Sequence, residues 1–343
     1  MRGRVARPII AQMLDGDFLP PDDVRATDPI RIEVTRSTYV ESVHRVAACV
    51  VEVDGTVLYA AGDVDRAYPV RSLAKPFVAA ELVRSGAAAA YALDDAELAV
   101  ITGSHDGEEI HVRAVRAILE RIGLDEGALR CGPAMENAVV VGPPVANNCS
   151  GKHAGVLTLC RYLGLDVDTY LDPDHPVQRR LTARAIADFG RESRVTRLAI
   201  DGCGMPIFGA TLREMAHAYA RFGVHPDPAL MRVRAAIAAA PAYFGGSGRN
   251  FDTALVAASA GEVIGKIGAE GLHGDAILAE RRGIAVKVLD GNSRAMPGVV
   301  LSLLARFASA HGLGSRALID FAQGRLHNAA GTTVGGVRFA RPR

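Results

Sequence analysis

Ser72 and Lys75 stand three residues apart in "RSLAKPF". That spacing puts both side chains on one face if a helix starts there. Pro76 suits a helix start and not a helix interior, where proline costs about 3 kcal/mol. A serine at a helix N-terminus sits among free backbone N–H groups and the positive end of the dipole, which favour an alkoxide or an oxyanion. Its hydroxyl needs a base to become a nucleophile. A lysine can serve once its surroundings make it neutral, whereas an arginine stays charged. The chain has only four lysines against 35 arginines, so each lysine is worth weighing. A bare Ser-x-x-Lys is common, and taken alone it reads as a helix cap beside an exposed lysine.

Two further stretches change that weighing. Lys266 lies in "GKIGAEG", on a late strand between glycines. An early Ser-x-x-Lys followed by a late strand Lys-x-Gly is similar to the plan of serine β-lactamases and penicillin-binding enzymes. That plan needs a polar element between the two, and "TGSHDGEE" supplies Ser104 in a glycine-flanked turn. Together they point to a Ser–Lys hydrolase.

A metal corner is the next candidate. "NNCSGKHAG" brings Cys149, Lys152 and His153 to a loop–helix junction, and "IDGCGMP" puts Cys203 in a tight turn. Thiolates with imidazole suit zinc, and a lysine ligand would have to be neutral, although two lone cysteines also read as small buried apolar residues. Phosphate binding by "CSGKHAG" fails on pattern, because His153 follows Lys152 where a Walker loop needs Ser or Thr. Cys131 and Cys160 read as structural, and Lys287 as a strand residue on an exposed face.

The elements that must position these residues follow from periodicity. "SVHRVAACVVEV" and "VEVDGTVLYAAGD" form a strand and hairpin turning at Asp54-Gly55. Helical patterns cover about 74–89, 94–103, 108–123 and 152–163, and recur in "HPVQRRLTARAIADFGRES", "TLREMAHAYARFG" and "PALMRVRAAIAAAP". "EVIGKIGAEG", "GDAILAE" and "GIAVKVLDG" read as strands, followed by a helix at about 297–311. Strands, then helices, then strands give an α+β fold with an antiparallel sheet from both chain ends. Residues 1–29 read as a turn-rich N-terminal tail and 30–343 as the folded domain. A formal charge of +1 leaves no footprint for nucleic acid. The apolar runs are shorter than the roughly 18–20 residues of a membrane span. Five cysteines without dense spacing suit a reducing, cytoplasmic setting, and no signal peptide is expected.

Taken in order, "RSLAKP", "GSHDGE", "NNCSGKHAG", "YLDPDHPVQR", "DGCGMP" and "GKIGAEG" through "VKVLDGN" resemble the L-asparaginases of the rhizobial, thermolabile type. The resemblance runs from about Ile30 to the C-terminus. It implies a serine β-lactamase-like fold, a homodimer and hydrolysis of L-asparagine to aspartate and ammonia. It also implies two Ser–Lys tandems, falling on Ser72 with Lys75 and on Ser104 with Lys266. A zinc ion is implied at Cys149, Lys152 and Cys203, with Arg71, His153 and Asp201 lining the substrate pocket. The chain departs from the family pattern at Asp106, where a small hydroxyl residue is frequent, and at Asn147, where a histidine is. Two rivals remain: a β-lactamase or peptidase-like acyltransferase on the same plan, and a catalytically silent zinc-binding module. A metal-activated water with Ser72 as spectator is a further alternative in mechanism.

Overall fold

The structure, a computed structural model, describes residues 25–26, 28–136, 139–190, 198–247 and 250–340. The 1–29 tail lies almost wholly outside the described residues. Within it, Arg25–Ala26 pairs in parallel with Val57–Ala61. The chain divides into two compact units, one of residues 1–68, 210–224 and 254–343, the other of 69–209 and 225–253.

The first unit is built on the antiparallel sheet expected from both chain ends. Strand Tyr39–Glu52 is its centre, pairing with Arg282–Val288 on one side and with Ile30–Arg36 and then Val57–Ala61 on the other. Its first half is mostly exposed, whereas the run from Val46 to Val51 is fully buried, as a strand covered on both faces must be. The hairpin turns where Asp54-Gly55 is. Gly55 takes φ +89°, and the Asp54 carboxylate accepts the Thr56 amide at 2.8 Å. Strands Val263–Gly268 and Leu272–Ile277 continue the sheet beyond Arg282–Val288. Helix Leu212–Val224 lies across these strands. It comes so close at Gly283 that a Cβ there would sit 1.9 Å from the Ala216 carbonyl oxygen.

The second unit is mainly helical: Lys75–Arg84, Asp95–Thr102, Glu109–Arg121, Ser150–Leu163, Pro176–Asp188 and Pro228–Ala239. Prolines open the fifth and sixth, and a capping box of Asp94 and Glu97 opens the second. Gly151 and Gly155 let helix Ser150–Leu163 approach Asp95–Thr102. A Cβ at Gly151 would meet the Val100 carbonyl oxygen at 2.2 Å, and one at Gly155 the Ile101 side chain at 2.7 Å. Among the described residues no helix is long and apolar enough to cross a membrane.

Three expectations need adjusting. The helix expected at 74–89 is a 3-10 turn Arg71–Ala74, the α-helix Lys75–Arg84 and a separate turn Ala87–Ala90. Strand Thr333–Phe339, which pairs with Ile30–Arg36, has no counterpart in the sequence reading. Lys287 is buried and not on an exposed face, because its ammonium is met by the Glu270 and Val288 carbonyls at 2.5 and 2.6 Å.

Candidate active site

The second unit carries nine of the ten residues singled out above. Ser72 lies in the turn Arg71–Ala74, half-buried, and its carbonyl accepts the Lys75 amide, so the two side chains are one turn apart as expected. Among the described residues the Ser72 hydroxyl has no hydrogen-bond partner. Arg71 begins this turn at φ +47°, a left-handed conformation that costs a non-glycine residue of order 1–3 kcal/mol. It is held there by a 2.7 Å ion pair from its Nε to Asp201.

Lys75 is buried, 1% exposed. Its Nζ donates to the carbonyl of Gly103 at 2.5 Å, to that of Asn148 at 3.1 Å and to Ser104 Oγ at 3.0 Å. Sequence reasoning paired this lysine with Ser72, and the structure puts its nitrogen on the second serine. The two carbonyls come from chain segments fixed by other contacts. Gly103 ends helix Asp95–Thr102 where a Cβ would lie 2.1 Å from the Phe244 carbonyl oxygen. The Ser104 loop is tied down by Asp106, whose amide donates to the Gly245 carbonyl at 2.8 Å. Next to Ser104, His105 Nε2 is 3.2 Å from Ser150 Oγ, linking this loop to the helix that follows Cys149.

Cys149, Lys152 and Cys203 come together. Lys152 Nζ is 3.0 Å from Cys203 Sγ, and the Cys149 and Cys203 thiols influence each other's charge. The Cys203 S–H, against the cost of burial and with the charges of Lys75 and Lys152, holds Cys149 well below the ordinary thiol range. The interaction with Cys149, then burial, push Cys203 up. Lys152 is raised although burial opposes it, because Cys149, Cys203 and Asp201 surround its ammonium. Burial works against the Asp201 carboxylate too, yet Lys152, 4.0 Å away, and Arg71 hold it below its usual range. Two sulfurs and an amine nitrogen, all buried, fit a soft or borderline cation such as zinc, which would have to displace the protons of Cys203 and Lys152. Among the described residues no three His, Cys, Asp or Glu side chains form a metal-binding group, and the set here depends on a lysine.

Local turns explain these positions. Asn147, where the family pattern favours histidine, accepts the Cys149 amide at 2.9 Å and donates to the Pro133 carbonyl at 2.8 Å, fixing the helix start. Cys203 sits in the tight turn joining Leu198–Ile200 to Pro206–Thr211, with Gly204 at φ +86°. His153 follows Lys152 inside the helix; burial, then the charges of Lys152 and Lys75, push its ring well below the usual range. Its Nδ1 is 2.6 Å from the hydroxyl of Tyr170, a residue that sequence reasoning missed. The Gly103 and Asn148 carbonyls were missed as well, since backbone groups carry no residue-type signal. A cavity of about 30 Å³ runs beside the stems of Arg71, Lys75 and Lys152, walled by Met205, Ile207 and Phe208.

Cys131 and Cys160, read from the sequence as structural, are buried, and burial pushes their thiols up to about 11 and about 12. Lys266 belongs to the first unit. It is fully buried in strand Val263–Gly268, opposite Gly274, with its Nζ donating to the Ile267 carbonyl at 3.0 Å.

Residues 32–339 match the family model for L-asparaginase II. The chain belongs to the L-asparaginase II family. This member of the family is therefore an enzyme, an amidohydrolase, as the resemblance of its motifs implied. A search of curated proteins gives no match. Among solved structures, this asparaginase-family chain is similar to a β-lactamase (Mb2281c) from Mycobacterium bovis, at 16% identity over 77% of this chain and 95% of that one, TM-score 0.42. It is also similar to Mglu in its L-glutamate binding form, at 15% identity over 88% and 67%, TM-score 0.41. A third is the Bacillus subtilis glutaminase in covalent complex with 5-oxo-L-norleucine, at 16% identity over 77% and 88%, TM-score 0.37.

Proposed function

We propose that the chain hydrolyses the side-chain amide of L-asparagine, with Ser72 as nucleophile and Lys75 as its base. The observation that supports this reading best is the surroundings of Lys75 Nζ. A neutral lysine has two N–H groups and one lone pair. The carbonyls of Gly103 and Asn148 and the hydroxyl of Ser104 hold this nitrogen in place, and in its neutral form its lone pair can take a hydroxyl proton. Ser72 Oγ attacks the amide carbon as its proton passes to Lys75. Backbone N–H groups at the helix start, that of Ser72 among them, hold the oxyanion, each such donor contributing about 3–4 kcal/mol. The C–N bond then breaks, and a proton is relayed to the departing ammonia, the role that the resemblance gives to Ser104 and Lys266. Water attacks the resulting ester, aspartate leaves, and Ser72 recovers its proton.

Arg71, His153 and Asp201 are assigned to substrate binding. Cys149, Lys152 and Cys203 would hold a zinc ion, whose charge would orient Asp201 and the substrate. The reading is completed by a homodimer in the reducing cytoplasm, where Cys149 and Cys203, in contact as free thiols, stay reduced. One observation favours a second reading, with Ser104 as the nucleophile, because its Oγ and not that of Ser72 is the one bonded to Lys75. A diazoketone analogue of asparagine separates the two. Peptide mass spectrometry should find the adduct on Ser72, and an adduct on Ser104 alone would exchange the roles of the two serines.

A further inference from the structure

The His153 ring is fully buried, and its Nε2 has no hydrogen-bond partner among the described residues. On its other side Nδ1 lies 2.6 Å from the Tyr170 hydroxyl, and the two rings meet edge to face at 84°. The same phenol oxygen accepts the backbone N–H of Arg130 at 3.0 Å. Tyr170 is itself fully buried, and its main-chain carbonyl accepts from Gln178 at 2.6 Å.

Counting hydrogens decides the direction of the short bond. A phenol has one hydrogen to give, and Arg130 already supplies a donor to its oxygen. If Nδ1 carried the ring proton, the phenol hydrogen and the Nε2 lone pair would both be left without partners. If the phenol donates to Nδ1, a single group is left over, the Nε2–H. Buried polar groups without partners are uncommon, and the arrangement that leaves fewer is favoured. We propose that Tyr170 is a positioning residue that fixes His153 as the Nε2–H tautomer, so that the ring offers one neutral donor to an oxygen of the bound substrate. The assignment of that oxygen to an asparagine carboxylate or amide rests on the amidohydrolase reading above. His153 is the residue after Lys152 in helix Ser150–Leu163, whose N-cap is Cys149.

Histidine-selective ¹⁵N labelling of the full chain tests the tautomer without reference to activity. His153, assigned by the signals lost in His153→Gln, should show Nδ1 as the unprotonated, downfield nitrogen. A ring protonated at Nδ1 overturns the proposal. Steady-state kinetics on L-asparagine then test the role. Tyr170→Phe keeps the aromatic packing and removes the hydroxyl, so KM should rise roughly three- to tenfold, the loss of one net hydrogen bond, with kcat nearly unchanged. His153→Gln carries an N–H near the ε position that needs no phenol to orient it. In that background Tyr170→Phe should leave KM unaltered. The same KM penalty in both backgrounds would mean that the phenol only supports the fold, and would overturn the positioning role. A parent protein without turnover on asparagine sinks the substrate assignment, while the ring nitrogen signals still decide the tautomer.

Discussion

At the scale of the residue, the site turns on what surrounds one buried amine. Ser104 Oγ and the Gly103 and Asn148 carbonyls meet Lys75 Nζ, and main-chain carbonyls cannot be changed by substitution at their own positions. Lys75→Met keeps most of the stem volume and removes the nitrogen. We expect kcat to fall by about a thousandfold or more, as when a nucleophile's partner is removed. Two orphaned carbonyls should cost about 1–3 kcal/mol each in chemical denaturation. Retained turnover in a folded Lys75→Met would remove this lysine from the chemistry. The residue types were legible in the sequence, because serine, lysine and cysteine announce their chemistry at a given spacing. Their partners were not. The pairing of Lys75 with Ser104, the carbonyls of Gly103 and Asn148, and the phenol of Tyr170 come from distant segments that no local spacing encodes. Lys287 shows the opposite error: a charge on a strand reads as solvated, yet two carbonyls satisfy it in the interior.

At the scale of the element, close approach between backbones sets the site. Helix Ser150–Leu163 carries Lys152 and His153 and rests on Asp95–Thr102 through Gly151. Gly151→Ala should therefore lower stability by about 1–3 kcal/mol, the usual cost of overpacking, read as a lower denaturation midpoint. An unchanged midpoint would mean that the two helices are not in register as described. Helix Lys75–Arg84 is anchored at its other end by Arg84, which bonds Asp188 at 2.9 Å and Asp227 at 2.5 Å. Asp227 also caps helix Pro228–Ala239 through the Ala229 amide at 2.8 Å. Burial opposes the charge on Asp227, but Arg84 and that amide hold its pKa below the usual value. A depressed folded-state pKa gives stability that is complete above the unfolded value of about 3.9 and is lost as pH falls through the folded value. Asp227→Asn should thus be less stable than the parent at pH 7, with the gap closing below about pH 4. A gap independent of pH would mean that the carboxylate charge contributes nothing. Most of these elements were legible from period and turn chemistry, including the Asp54-Gly55 hairpin and the three strands after residue 262. Strand Thr333–Phe339 was not, because Gly335 and Gly336 interrupt its alternation. Gly335 is there because a Cβ would stand 1.8 Å from the Thr35 carbonyl oxygen of the neighbouring strand.

At the scale of the whole molecule, the fold class followed from the order of patterns: strands at both chain ends and helices between them. The division into two compact units was not legible, because no linker marks it and each unit draws on separated segments of the chain. The proposed Cys149–Lys152–Cys203 corner predicts one zinc per chain after purification, read by elemental analysis. Cys203→Ala should lose the metal while keeping the fold, since the thiol's partners are Lys152 and Cys149 and not the core. Full zinc content in Cys203→Ala would move the metal elsewhere. Light scattering should give twice the chain mass, and a monomer would contradict the proposed homodimer. The central claim is amide hydrolysis through Ser72. Its most direct test is ammonia release from L-asparagine by the parent protein beside Ser72→Ala. The account predicts turnover in the parent and its loss in the variant. Equal turnover in both would contradict it and pass the nucleophile's role to Ser104 or to a metal-bound water.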